Sequence, residues 1–377
     1  MPDAWINRPD VLNRGRSSGH TKPLELLATL WPGFAHFPKF AHDLRLAGVR
    51  INPPTIGVDE LERELGRLDS TSASLPLWYD VKGRQLRIAE ARTVGDHIEC
   101  VLNHPIQLDL EDEAARIVSF KAGADFGMLH RIEDGGQRLV FRDGRKFGPQ
   151  FRVNYGESVN IRHHSLRVQG PLFTDEECRK IAAAKRAGFT RYFLSYVEET
   201  ADVDALLELV GRDVEVWLKI ENERGLRFVA NDFLKRDNLV LVAARGDLYI
   251  ELERPHEICN ALRLIIQEDP EACVGSRILL SIARRTMPPY EARESFAHIL
   301  DAVSGDGVDA QALRELLIGI YHDPVPACAD FSELAWLYDL GYRRMMLCDE
   351  LCLDGTLLGT ALNAFEAFRN SYQRTLS

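Results

Sequence analysis

Two short polar strings follow neighbouring apolar segments and carry the groups that metal-assisted enolate chemistry needs. Residues 219–222 read Lys-Ile-Glu-Asn, and residues 245–248 read Arg-Gly-Asp-Leu. Each string follows a short, near-continuous apolar run, which is typical of a strand buried on both faces of a parallel sheet. Because active sites of β/α barrels lie where the strands end, Lys219, Glu221 and Asp247 are expected to meet there. Two carboxylates suit Mg²⁺, and the cation with a lysine stabilises an enolate.

Apolar strand candidates alternate with amphipathic helix candidates from residue 24 onward, the pattern of a parallel sheet with helical crossovers. Eight β/α units predict an α/β fold, a (β/α)8 TIM barrel, made of residues 21–87 and 171–377 after an N-terminal arm, residues 1–20. The predicted strands are residues 25–30, 49–53, 75–80, 192–197, 214–221, 239–245, 277–282 and 345–349.

Two insertions interrupt this alternation. Residues 88–170 contain short β-like runs separated by turn pairs such as Asp134-Gly135, which predicts a small all-β domain inserted after the third strand. At the mouth of a barrel such a module acts as a lid, although a role in oligomerisation alone is the alternative. Residues 288–323 carry two helix candidates, which are expected to pack against the barrel, with partner binding as the alternative.

Composition narrows the function classes. A net charge of −11 and a pI of about 5.5 disfavour binding to nucleic acid or to an anionic membrane surface. No apolar run approaches the roughly 20 residues of a membrane span. The seven cysteines are scattered without a Cys-x-x-Cys pair, which favours reduced thiols and a cytoplasmic protein. Assembly into a homo-oligomer stays open.

Four strings together resemble the pyruvate kinase family, from about residue 21 to the last barrel helix. Residues 48–52 are similar to the family's segment ending in arginine-leucine-asparagine. Residues 80–87, Asp-Val-Lys-Gly-Arg-Gln-Leu-Arg, are similar to its aspartate-threonine-lysine-glycine-proline-glutamate-isoleucine-arginine. The strings at 219–222 and 245–248 follow in the family's order. The resemblance implies a catalytic barrel with a shortened lid domain and without a C-terminal regulatory domain.

The resemblance also implies roles for individual residues. Glu221 and Asp247 would bind Mg²⁺ or Mn²⁺, Lys219 would stabilise the phosphoryl group in flight, and Arg50 would bind phosphate. The other implied substrate contacts are Asn52, Asp80, Arg87, Gly246 and Ser276. Read without the resemblance, the carboxylates could instead cap helices, and Lys219 could form a structural ion pair with Glu221.

Several positions depart from the family's pattern. Pro54 and Val81 replace the serine and threonine, and Gln85 the glutamate, of the two motifs around the monovalent cation. Dependence on K⁺ is therefore in question. Tyr249 replaces a glycine after Asp247-Leu248 and is expected to reshape the pocket for the substrate carboxylate.

Three functions remain open at this point. The first is transfer of a phosphoryl group between phosphoenolpyruvate, or a related enol phosphate, and ADP or ATP. The second is a Mg²⁺-dependent lyase or aldolase that forms a pyruvate enolate without a nucleotide; Arg50 and Arg87 favour a phosphate and so the first. The third is a non-catalytic binding or regulatory protein, against which Lys219, Glu221 and Asp247 argue.

Overall fold

The computed structural model describes residues 22–53, 55–68, 73–120, 123, 125–142, 154–284 and 325–376. The predicted N-terminal arm and the helical insertion at 288–323 lie outside these residues. The described strands are β1 (Glu25–Thr29), β2 (Gly48–Ile51), β3 (Leu77–Val81), β4 (Ile88–Val94), β5 (His97–Leu102), β6 (Ile106–Gln107), β7 (Ile117–Phe120), β8 (Asp125–Glu133), β9 (Arg138–Arg142), β10 (Val159–Asn160), β11 (Arg167–Val168), β12 (Arg191–Leu194), β13 (Glu215–Ile220), β14 (Leu239–Ala244), β15 (Cys273–Gly275) and β16 (Arg344–Met346).

The described helices surround the barrel. They are α1 (Phe37–Phe40), α2 (Val58–Leu65), α3 (Asp175–Arg186), α4 (Thr200–Val210), α5 (Glu223–Asn231), α6 (Arg245–Glu251), α7 (Ile258–Glu268), α8 (Ser281–Arg284), α9 (Cys328–Leu340), α10 (Asp349–Cys352) and α11 (Gly355–Leu376). Short 3-10 turns lie at Glu113–Arg116, Asp134–Gly136 and Pro255–Glu257. Within the part of the chain that the structure describes, no helix has the length and apolar character needed to cross a membrane.

Eight parallel strands close into a barrel in the order β1-β16-β15-β14-β13-β12-β3-β2. The predicted (β/α)8 TIM barrel is therefore confirmed. Alternate residues of each strand point to opposite faces, so one set fills the barrel interior and the other packs against the helices. The interior layer comprises Leu27, Trp78, Phe193, Trp217, Val240, Val242, Cys273 and Met346.

The predicted seventh strand, residues 277–282, is wrong. The seventh barrel strand is β15, only three residues long, and it pairs in parallel with β14 and β16. The apolar residues after it are buried, but Ser276, Arg277 and Leu279 have φ angles of 67°, 64° and 54°, which a strand does not allow. The chain instead turns sharply and enters α8.

A separate antiparallel sheet follows the third barrel strand, and we call it the lid. Its six strands lie in the order β10-β7-β8-β9-β5-β4, and β6 pairs with β11 in a small two-stranded sheet. The lid has its own apolar core, in which Phe120 and Phe141 pack edge to face with ring centroids 5.6 Å apart. The inserted all-β module is therefore confirmed, while its outer boundaries at residues 88 and 170 stay a prediction.

Candidate active site

A buried lysine occupies the mouth of the barrel. Lys219 lies two residues after Trp217 on β13 and shares its inward direction, one layer above the apolar interior. Its Nζ lies 2.9 Å from Oε1 of Glu221 and 3.7 Å from Oδ2 of Asp80, and it donates to Oγ of Ser195 at 2.9 Å. Burial lowers the pKa of Lys219, but the charges of Asp80 and Glu221 outweigh it and raise the pKa overall. Lys219 is therefore a cation.

Asp80 contacts three basic side chains of the site. Its carboxylate, at the end of β3, lies 2.9 Å from Nζ of Lys82 and 3.4 Å from Nη1 of Arg50, in addition to its contact with Lys219. Burial raises the pKa of Asp80, yet the charges of Lys219, Lys82 and Arg50 together hold it well below its usual range. Three basic side chains thus surround one ionised carboxylate whose side chain has no exposed surface. Burial and the neighbouring cations lower the pKa of Lys82 to about 7, against the charge of Asp80.

Asn52 and Asp349 complete this cluster. Lys82 Nζ donates to Oδ1 of Asn52, and Asn52 Nδ2 donates to Oδ2 of Asp349 at 2.9 Å. Oδ1 of Asp349 accepts from Nη2 of Arg50. The structure therefore brings together four predicted residues, Arg50, Asn52, Asp80 and Lys219.

Glu221 and Asp247 follow neighbouring strands, β13 and β14. Oε2 of Glu221 accepts the backbone N–H of Tyr196 at 2.8 Å. Burial raises the pKa of Glu221, Lys219 lowers it, and the negative charge of Asp247 raises it further, so the net shift is upward. The two carboxylates therefore repel each other, and a divalent cation relieves such repulsion.

This donor set suits one kind of metal site. Among the described residues, no group of three or more His, Cys, Asp and Glu side chains lies close enough to hold a metal by itself. Mg²⁺ commonly takes one or two carboxylates and completes its shell with water and substrate oxygens. Glu221 and Asp247 therefore fit Mg²⁺ held jointly with a substrate, and not a metal enclosed by protein ligands.

A lid residue reaches Asp247, the second of these carboxylates. Nδ2 of Asn160, on β10, lies 2.8 Å from Oε1 of Glu251, 2.9 Å from the hydroxyl oxygen of Tyr196 and 3.4 Å from Oδ1 of Asp247. Burial raises the pKa of Glu251 to about 8, against the hydrogen bonds from Asn160 and Tyr196. The lid therefore contacts the barrel beside the carboxylates of Asp247 and Glu251.

Arg87 lies at the root of the lid. Its guanidinium donates to the side-chain oxygen of Gln85, with Nε 3.1 Å away, and to the backbone oxygen of Gly156. A cleft between the barrel mouth and the lid is lined by Asp80, Lys82 and Arg87, with Gly156 from the lid side. Arg87 therefore lines the same cleft as Asp80 and Lys82. Its described hydrogen bonds do not join it to the residues around Arg50.

Gly246 and Ser276 meet at the ends of β14 and β15. A Cβ on Gly246 would lie 3.3 Å from Oγ of Ser276, so the two backbones approach closely. Arg245 fixes this turn, because its Nη2 donates to the backbone oxygen of Ser276 at 2.6 Å and its Nη1 to Oε1 of Glu333 at 2.6 Å. The described contacts join this pair to each other and not to Lys219.

Sequence reasoning assigned no role to several residues of the site. Lys82 stood inside the quoted motif between Asp80 and Arg87, so its spacing was a usable signal. Asp349 lies outside the four strings, so its approach to Arg50 had no signal there. Asn160, Tyr196 and Glu251 had no signal, since their meeting depends on how the lid folds onto the barrel.

The chain matches curated pyruvate kinases along most of its length. It is 25% identical over 349 residues to the enzyme of Methanocaldococcus jannaschii, which covers 89% of this chain and 73% of that one. It is 25% identical over 381 residues to the pyruvate kinase of Agaricus bisporus, covering 92% and 69%. That of Naumovozyma castellii is 22% identical over 298 residues, covering 74% and 58%. The chain is therefore similar to the pyruvate kinases at low identity over most of its length.

No protein-family model matches the chain. The distance from the pyruvate kinases is consistent with the altered positions around the site. The ion-paired Lys219 and the two carboxylates are present, while Tyr249 stands at a position similar to a glycine of the family. Tyr249 stacks under the guanidinium of Arg277, whose central carbon lies 5.3 Å from the ring centroid. Tyr249, three residues after Gly246, therefore forms a cation–π pair with Arg277.

Proposed function

We propose that the chain catalyses Mg²⁺-assisted phosphoryl transfer between phosphoenolpyruvate, or a related enol phosphate of a 2-oxo acid, and ADP or ATP in the cytoplasm. The observation that carries the proposal is Lys219, a buried ammonium held between Asp80 and Glu221 beside Arg50. Isolated buried charges are costly, and clusters of them are typical of functional sites. Two buried cations, Arg50 and Lys219, with Lys82 beside them suit a substrate as anionic as an enol phosphate.

The proposed roles follow from the geometry and from the similarity to pyruvate kinases. Arg50 binds the phosphate, and Lys219 stabilises the charge that develops on the phosphoryl group. Glu221 and Asp247 hold Mg²⁺, which when bound stabilises the enolate oxygen of the product. The proposed supporting contacts to substrate are Asn52, Asp80, Arg87, Gly246 and Ser276.

Independence of K⁺ is a further part of the proposal. The two oxygens that match the family's monovalent-cation site, on Asn52 and Asp80, both accept from the ammonium of Lys82. The side chain of Lys82 is only 8% exposed, so bulk water does not compete strongly for it. Lys82 is also the lysine of the family's own motif, so the oxygens lost at Pro54 and Val81, and not Lys82 alone, are the reason to expect turnover without K⁺.

The test follows pyruvate formation from phosphoenolpyruvate, ADP and Mg²⁺, with and without K⁺. We expect turnover without K⁺, and a loss of at least about 100-fold in kcat for Lys219→Met, as for removal of one electrostatic stabiliser. Lys185→Met, which removes an exposed lysine of α3, is the matched control. Folded wild-type protein without turnover would contradict the proposal.

The two alternative functions have their own readouts. Exchange of the pyruvate methyl protons with solvent, dependent on Mg²⁺ but not on nucleotide, would support a lyase or aldolase. A melting temperature that Mn²⁺ raises, without turnover or exchange, would support a binding protein, because a ligand that prefers the folded state stabilises it.

A further inference from the structure

Asp349 occupies one side of the Arg50 guanidinium. Asp349 is the first residue of α10, and two residues connect it to β16, the eighth barrel strand. Its Oδ1 accepts a hydrogen bond from Nη2 of Arg50. Its other oxygen accepts from Asn52 at 2.9 Å. On the opposite side, Nη1 of Arg50 lies 3.4 Å from Asp80. Both ends of the guanidinium therefore face carboxylates of the protein.

The two carboxylates differ in how firmly they are held. The side chain of Asp80 has no exposed surface and that of Arg50 is 9% exposed, whereas that of Asp349 is 48% exposed. Asp80 cannot leave Arg50 without opening the barrel. Asp349 can turn outward on its own side-chain torsions, because water already reaches it.

We propose that Asp349 holds the phosphate position of Arg50 in the ligand-free protein and acts as an internal competitor that an incoming phosphate must displace. The inference rests on the proposed function for the assignment of Arg50 as the phosphate ligand. Guanidinium forks bind phosphate through two parallel N–H donors, and one of these donors is engaged by Asp349.

The competitor determines which anions enter. A phosphate dianion brings more charge than the carboxylate it replaces, so the exchange gains attraction to Arg50, Lys82 and Lys219. A monocarboxylate brings the same charge as Asp349 and gains little from the exchange. Asp349 therefore favours phosphorylated ligands over simple carboxylates, at the cost of a weaker absolute affinity for both.

Isothermal titration of the full chain with inorganic phosphate tests this without any need for turnover. Asp349→Asn keeps the size of the side chain and removes its charge, and we expect phosphate to bind at least about tenfold more tightly. Glu350→Gln makes the same charge change one residue later at an exposed position, and we expect less than a twofold effect. Asp349→Ser, a smaller neutral residue, is expected to act as Asp349→Asn does.

Several outcomes would overturn the inference. Unchanged or weaker phosphate binding in both folded Asp349 variants would mean that the carboxylate positions Arg50 for phosphate and does not compete with it. An equal gain in Glu350→Gln would mean that only net charge matters. Adding Arg50→Gln to Asp349→Asn should abolish the gain, and a gain that survives this change would place the phosphate elsewhere.

The design separates this inference from the proposed function. If phosphate binds more tightly to Asp349→Asn but no variant turns over phosphoenolpyruvate, the proposed function fails and the competitor stands. If the wild type turns over phosphoenolpyruvate while Asp349→Asn changes neither phosphate affinity nor the KM for phosphoenolpyruvate, the competitor fails and the function stands.

Discussion

Lys219 and Glu221 lie two residues apart, on and just after one barrel strand, and form an ion pair with Nζ 2.9 Å from Oε1. Both side chains are almost completely buried, at 7% and 0% exposure. Each of these buried charges compensates the other, because removing one partner leaves the remaining charge poorly solvated.

Lys219→Met is therefore expected to lower the free energy of unfolding by about 3–5 kcal/mol at pH 8, as for other broken buried pairs. Urea unfolding of Lys219→Met, Glu221→Gln and the double variant measures the coupling between the two residues. The double variant should lose less than the sum of the single losses. Additive losses would show that the two charges are not coupled in stability.

Glu251 should make stability depend on pH. Its pKa is raised from 4.5 to about 8, chiefly by burial, so between these values the folded chain holds more protons than the unfolded chain. The free energy of unfolding must then fall as the pH rises through this window. Each pKa unit corresponds to about 1.4 kcal/mol. The free energy of unfolding of Glu251→Gln, measured relative to that of wild type, should therefore rise by roughly 2 kcal/mol or more between pH 5 and pH 8.5.

Urea unfolding at these two pH values measures the effect of Glu251→Gln. Glu253→Gln, at an exposed position two residues away, is the control and should leave the pH profile of wild type unchanged. An identical profile for wild type and Glu251→Gln would show that Glu251 titrates normally in the folded protein.

Lys82→Ala should convert the protein into one that binds K⁺. The change frees the oxygens of Asn52 and Asp80 and leaves room for a cation between them. At ten times its Kd, K⁺ would add about 1.4 kcal/mol to the free energy of unfolding. Melting in KCl and in choline chloride at equal ionic strength measures this difference, which wild type should lack.

Lys180→Ala is the matched control for Lys82→Ala, since Lys180 lines the same cleft and is similarly buried but pairs with Glu176. Equal effects of KCl on wild type and on Lys82→Ala would show that Lys82 does not keep K⁺ away from the oxygens of Asn52 and Asp80.

Asn160→Ala should loosen the lid. The variant removes hydrogen bonds to Glu251 and Tyr196, and each such bond contributes about 0.5–1.5 kcal/mol. Hydrogen exchange of the backbone amides in β7 and β10 should become at least about tenfold faster, while exchange in β13 stays unchanged. Asn154→Ala, which removes an exposed lid asparagine whose side-chain amide donates to Oε1 of Glu157, should have no such effect.

The barrel could be predicted because most of its strands are continuous apolar runs bounded by polar strings. β15 escaped because three residues are too few to carry a pattern, and the apolar run after it is buried without being extended. Lys219, Glu221 and Asp80 could be predicted for the same reason that the strands could: each lies at or near a strand end, and barrel strands end at one face.

Contacts between distant segments could not be predicted in this way. Asp349 meets Arg50 across 299 residues of sequence, and Asn160 meets Glu251 across 91. Neither periodicity nor spacing encodes such a meeting. The competitor at Arg50 and the attachment of the lid therefore emerge only when the closed barrel is seen with its lid in place.

The amide of Asn160 has two hydrogens and three acceptors within reach. The hydroxyl oxygen of Tyr196 and Oε1 of Glu251 are the nearer two, and Oδ1 of Asp247 is the most distant, at 3.4 Å. Two good bonds exhaust what the amide can donate, so Asp247 receives at most a shared hydrogen and keeps its lone pairs. The lid can thus stay fastened to the barrel while Asp247 remains available to a cation.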